Sequence, residues 1–202
     1  MNEQKNITEQ ISKVLDSYDI VPIETIPNID LYMDQVTTFI ESALSGCKRN
    51  KNDKILTKTM INNYAKAKIF PPPLKKKYTK NHIMLLIMIY HLKSILSISD
   101  ISRLLKPVTE ELTKNVQSPL LEMIYSDFVE LQKQNQKNIA MVLENNYMQN
   151  TIVSPQYHKY ENETIQNIIV VLQLVIQSNT EKRIAEKILD AHFSVKKTTS
   201  KS

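Results

Sequence analysis

The chain has 202 residues, a formal net charge of +5, one cysteine and one glycine. Lone Cys47 can form neither an internal disulfide nor a cysteine-rich zinc site, so a reducing, cytoplasmic setting is expected. Lone Gly46 excludes Gly-rich phosphate loops and dinucleotide fingerprints, and it speaks against many tight hairpins. The longest nearly apolar run, 168–176, is far shorter than the roughly 20 residues of a membrane span, and no secretory pattern follows Met1. With Leu, Lys, Glu, Gln, Ile and Met abundant, an all-α fold is expected.

In chain order, Ile7, Ile11, Val14 and Leu15 space a short amphipathic helix over 5–18. Residues 19–29, with two prolines, read as an extended linker. Met33, Val36, Ile40, Ala43 and Leu44 stripe a helix over 30–44 that stops at Ser45-Gly46. The polar loop CKRNKNDK follows, and Thr57 caps a helix over 57–68. Pro71-Pro72-Pro73 ends that helix, and the three lysines after it suit a turn or small wing. Thr79 caps a helix over 80–95 that is apolar nearly all round and therefore central. Ser97 and Asp100 form a capping-box pattern for a helix over 97–106 that Pro107 ends. Two long helical segments, 109–147 and 161–192, flank an irregular stretch containing Pro155, with Pro119 breaking or starting the first. Leu121, Ile124, Phe128 and Leu131, and later Ile165, Ile168, Leu172 and Val175, fall at heptad-like spacing, which asks for a partner helix. The tail from 196 is too polar to order itself. This divides the chain into an N-terminal helix and linker (1–24), a compact module (25–106), a C-terminal helical dimerisation or effector region (107–195) and a tail (196–202).

Charge is concentrated. Residues 1–47 hold two basic and eight acidic residues, whereas 48–80 hold eleven basic residues and one acid, Asp53. A window of that kind is what a polyanion-binding surface requires. Within it, Thr59, Asn62, Asn63 and Lys66 lie at i, i+3, i+4 and i+7, with Lys58 one turn from Asn62. That side of the helix offers amide, hydroxyl and ammonium groups and no carboxylate. Asn62 or Asn63 can bond an adenine edge bidentately, and Thr59 can touch a base edge or a thymine methyl. Lys58, Lys66, Lys75, Lys76 and Lys77 would neutralise phosphates. Tyr78 has two readings, a hydroxyl given to a phosphate or a ring packing the turn onto the module.

The order of these helices resembles the winged-helix DNA-binding module of MerR-type regulators. Met60-Ile61-Asn62-Asn63-Tyr64 followed by Ile69-Phe70-Pro71-Pro72 resembles that family's second helix and its exit into the wing. Lys76-Lys77-Tyr78-Thr79 resembles the wing strand, and the run from Leu92 to Ile101 resembles the turn into the fourth helix. More narrowly, PNIDLYMDQV, ILTKTMINNYAKAKIFPPP and KKKYTKNHIMLLIMIYHLKSILSISDISRLL are similar to domain-of-unknown-function family 1836, itself regarded as MerR-like, over about residues 20–106. Asn62 stands where MerR-type helices usually carry Arg, and the loop from Ser45 to Ile55 is longer than usual, with Lys48, Arg49, Lys51 and Lys54 in it. Cys47 alone does not supply a metal sensor's thiols.

The resemblance implies a bacterial DNA-binding transcriptional regulator that grips a pseudo-palindromic duplex as a homodimer. The alternative is a helical protein-interaction adaptor on the same module, with an acidic partner in place of DNA. His82, His91, His158 and His192 share no metal-binding spacing, and no catalytic triad is legible. The expectation is therefore no enzyme, no cofactor, no metal and no membrane partner.

Overall fold

The computed structural model describes residues 13–149 together with 177–178, 181–182, 185–186, 188–189 and 192–193. It is mostly helical. Two short strands, β1 (Leu31–Tyr32) and β2 (Lys77–Tyr78), accompany helices α1 (Met33–Ala43), α2 (Lys58–Lys66), α3 (Lys80–Leu92), α4 (Ile98–Lys114) and α5 (Leu120–Gln149).

The core forms around α3, where every residue from His82 to Ile89 is buried. A helix apolar on all sides needs neighbours on all sides, and each neighbour supplies a stripe. Helix α1 gives Val36 and Ile40, and α2 gives Ile61 and Tyr64. Helix α4 gives Ile101, Leu105, Val108 and Leu112, and α5 gives Leu121, Tyr125 and Val129. Antiparallel β1–β2 pairs Leu31 with Tyr78 and Tyr32 with Lys77. Leu31 and Tyr78 face inward, while Tyr32 is exposed. Gly46 is required by space: a Cβ there would stand 1.7 Å from the Ser17 carbonyl oxygen.

Several boundaries differ from expectation. Helix α1 begins at Met33 rather than residue 30, because Leu31 and Tyr32 are held in the strand, and the Tyr32 N–H donates to Gln35 Oε1 at 2.9 Å. The 19–29 segment is no free linker. It buries Val21 and Ile26, and Tyr125 Oη donates to the Val21 carbonyl at 2.8 Å. Helices α2 and α3 end at Lys66 and Leu92, short of the expected 68 and 95.

Pro107 does not end α4, which runs on to Lys114. A proline inside a helix costs about 3 kcal/mol through its missing N–H and its ring. Here the apolar stripe continues across it from Leu105 to Val108 and Leu112, and burying those two side chains offsets the penalty at roughly 1.5–3 kcal/mol each. Helix α5 starts directly after Pro119.

The heptad-like seam of α5 is largely filled within the chain. Leu121 is buried, and Ile124 and Phe128 pack on the core. Leu131 is 65 % exposed, and Met123, off that seam, is 63 % exposed. The second seam, 165–175, and most of the 5–18 helix lie outside the described residues; 13–17 are helical. Leu189 is buried in the same core, with Phe193 against it. No helix among the described residues is long and apolar enough to cross a membrane.

Candidate nucleic-acid interface

Helix α2 is fixed at both ends. At its start, Thr57 Oγ1 accepts from the Met60 N–H at 3.2 Å. At its finish, Lys68 takes φ 55° in the left-handed region. There its N–H reaches the Ala65 carbonyl (3.0 Å) and the Ile69 N–H reaches the Tyr64 carbonyl (3.1 Å). This is a Schellman ending with lysine in the position that favours glycine. Tyr64 and Ile69 close it with buried side chains. The reading of the helix through 68 missed this cap, because a lysine gives no sequence signal of a left-handed stop.

With Ile61 and Tyr64 anchored below, Thr59, Asn62, Asn63 and Lys66 are all exposed, as their spacing predicts. Lys58 is exposed too and pairs with Asp34 on α1. Both partners are open to water, so the pair is worth little and Lys58 is available to a stronger anion. The first turn holds no acid, although acids are favoured there by the helix dipole.

After Pro71–Pro73 the chain makes a hairpin without glycine. Leu74 bridges Lys77, and the Lys77 N–H donates to the Leu74 carbonyl at 2.9 Å. Lys75 and Lys76 at the tip take φ 50° and 64°. Two positive values across a two-residue loop are the requirement of a type I′ turn, which normally selects Asn-Gly. Both tip lysines are exposed. Lys77 leans back, its Nζ 5.6 Å from the centre of the Tyr32 ring.

Tyr78 is 3 % exposed, and its ring meets His82 edge-on at 5.5 Å. Of the two readings kept for it, the packing one describes where it sits. Burial raises its hydroxyl pKa.

His82 has a role the sequence did not announce. Its Nδ1 accepts from the Thr79 N–H at 3.1 Å and lies 2.8 Å from Thr79 Oγ1, while Nε2 lies 2.9 Å from the Pro71 carbonyl oxygen. Burial holds the imidazole pKa below its usual value. The neutral ring then carries its proton on Nε2 and donates to Pro71, tying the start of α3 to the exit from α2. The hairpin between those points is thereby held at both ends. An open groove of about 690 Å³ separates Lys68 and Pro71–Pro72 from Thr109 and Thr113 on α4. Among the described residues no three His, Cys, Asp or Glu side chains gather as a metal site.

Residues 21–128 match the model of one protein family, described as Domain of unknown function (DUF1836). The match runs past Pro107 and into α5, as far as Phe128. No curated protein matches the chain. No solved structure matches it.

Proposed function

The chain belongs to the DUF1836 family, and from that premise we propose that it is a MerR-like, winged-helix DNA-binding transcriptional regulator. Helix α2 is its recognition helix and the 74–77 hairpin its wing. In this reading α2 enters the major groove. Asn62 and Asn63 address base edges, Thr59 a base edge or a thymine methyl, and Lys58, Lys66, Lys75 and Lys76 the flanking phosphates. Lys77 reinforces the wing from its place over Tyr32.

One observation carries this. Locally unfavourable lysines are concentrated around an acid-free helix: Lys58 at the positive end of α2, Lys68 at its left-handed cap, and Lys75 and Lys76 in a left-handed turn. Left-handed backbone costs roughly 1–2 kcal/mol per non-glycine residue. Departures from local preference that recur at exposed positions within one short stretch of chain, 58–76, mark a site kept for binding rather than stability.

Dimerisation is part of the proposal. Leu120, Met123 and Leu131 are exposed on α5 at helical spacing, an apolar strip suited to a second copy. Two-fold pairing would set two α2 helices on successive major-groove faces of a pseudo-palindrome.

The test is a salt titration of duplex binding. Replacing Lys75, Lys76 and Lys77 by Ala should weaken binding to all sequences and lessen the slope of log K against log salt by about 2, at about 0.9 for each of the two phosphate contacts made by the tip lysines. An unchanged slope removes the wing from the account.

A further inference from the structure

Between α1 and α2 the chain makes a loop whose two ends are held by one carboxylate. Glu41 accepts from Lys48 Nζ through Oε1 and from the Ile55 N–H through Oε2 at 3.2 Å. The Lys48 hydrogen bond, with the Ile55 N–H assisting, holds the Glu41 carboxyl pKa below its usual value against the opposing effect of burial. On the far side, Lys93 Nζ donates to the Ile55 carbonyl at 2.8 Å, and Ile55 and Leu56 are buried. The tip is closed as well. The Asp53 N–H donates to the Asn50 carbonyl at 3.0 Å, and Asp53 Oδ2 accepts from the Asn50 N–H at 2.9 Å.

These bonds occupy Lys48 and Asp53 and leave Arg49, Lys51 and Lys54 exposed. No ion pair engages Arg49 or Lys51 among the described residues. Long cationic side chains on an unanchored loop lose much freedom when an anion orders them; here the backbone beneath them is already fixed. From Lys54 to Lys58 the chain spans at most about 14 Å, at about 3.6 Å per residue. That is close to the roughly 12 Å width of a major groove. With α2 in the groove, Lys54 would therefore stand within about one groove width of the helix's first residue.

We infer that residues 49–54 form a second phosphate clamp for duplex DNA, separate from the hairpin, in which Arg49, Lys51 and Lys54 grip the sugar-phosphate backbone beside the N-terminus of α2. The inference rests on the DNA-binding reading above. The clamp adds affinity and footprint length and reads no bases.

The experiment compares the full chain with a variant carrying Arg49→Gln, Lys51→Gln and Lys54→Gln, using a random-sequence duplex pool as the probe. A control carries Lys133→Gln and Lys137→Gln on α5. Thermal melting checks that all three chains fold alike. The loop variant should show a salt slope lower by about 2–3. Between about 50 and 200 mM salt it should then lose roughly 40-fold less affinity than wild type. Its preferred sequence should be unchanged, and the control should keep the wild-type slope. A loop variant with the wild-type slope overturns the clamp while leaving the DNA-binding reading standing. A change in the control in proportion to its two lost charges, about two-thirds of that in the loop variant, also overturns it, by reducing the effect to net charge. Failure of the wild-type chain to bind any duplex removes both.

Discussion

Lys75 and Lys76 occupy backbone that asparagine and glycine would hold with less strain. Lys75→Asn with Lys76→Gly should therefore raise stability by about 1–2 kcal/mol. It should also remove two ammonium groups from the hairpin tip and lower duplex affinity. Urea unfolding and a binding titration on the same variant would read both. A stability gain with affinity unchanged would show the tip to be ordinary surface. Single residues also mark the limits of sequence reading. Thr57, Thr79 and Ser97 were legible as caps, because short hydroxylated side chains before an apolar run have few other uses. Lys68, Lys75 and Lys76 were legible as charge but not as left-handed backbone. The stretch after the prolines was legible as a turn or small wing but not as one whose tip holds two lysines at positive φ, since residue type states a preference and not the φ that surrounding packing can impose.

Helices were the most legible elements, because a buried stripe repeats in the sequence at the period of the helix. The exposed face of α2 followed from the same periodicity, and all four positions read as its polar side are exposed. Two things were lost at this scale. A two-residue strand such as β1 has no period to detect, so it was absorbed into α1. By residue type Pro107 is a stop signal, although the stripe Ile101, Leu105, Val108, Leu112 passes through it without a break. The helix keeps its course because packing outweighs one missing hydrogen bond and the proline ring. Pro107→Ala should restore that bond and stabilise the chain by about 1–3 kcal/mol. A loss of stability in chemical denaturation would show instead that α4 needs the proline's bend to seat Val108 and Leu112.

At the scale of the molecule, the N-terminal segment, α3 and α5 meet at His91. Tyr18 Oη lies 2.9 Å from its Nδ1, Gln132 Nε2 lies 3.4 Å from its Nε2, and the Tyr18, Tyr90 and Phe128 rings surround it. Burial lowers the imidazole pKa to about 4 from its ordinary 6.5. The unfolded chain therefore takes up a proton that the folded chain refuses as the pH falls from 6.5 towards 4, and stability drops across that window, on the order of 3 kcal/mol. A His91→Gln variant should show a shallower acid decline in thermal melts, whereas an unaltered profile would assign the decline to other groups. Neither this meeting point nor the packing of Tyr125 on Val21 could be read from the sequence, because each joins residues far apart in the chain.

The central claim is that an asparagine-bearing face reads DNA, and selection from a random duplex pool tests it most directly. The wild-type chain should enrich a short motif. Asn62→Ala and Asn63→Ala should still bind duplex but with that preference relaxed, each lost bidentate contact giving up about 1–3 kcal/mol of discrimination. A wild-type selection that enriches nothing, or asparagine variants that return the same motif at the same strength, would contradict it.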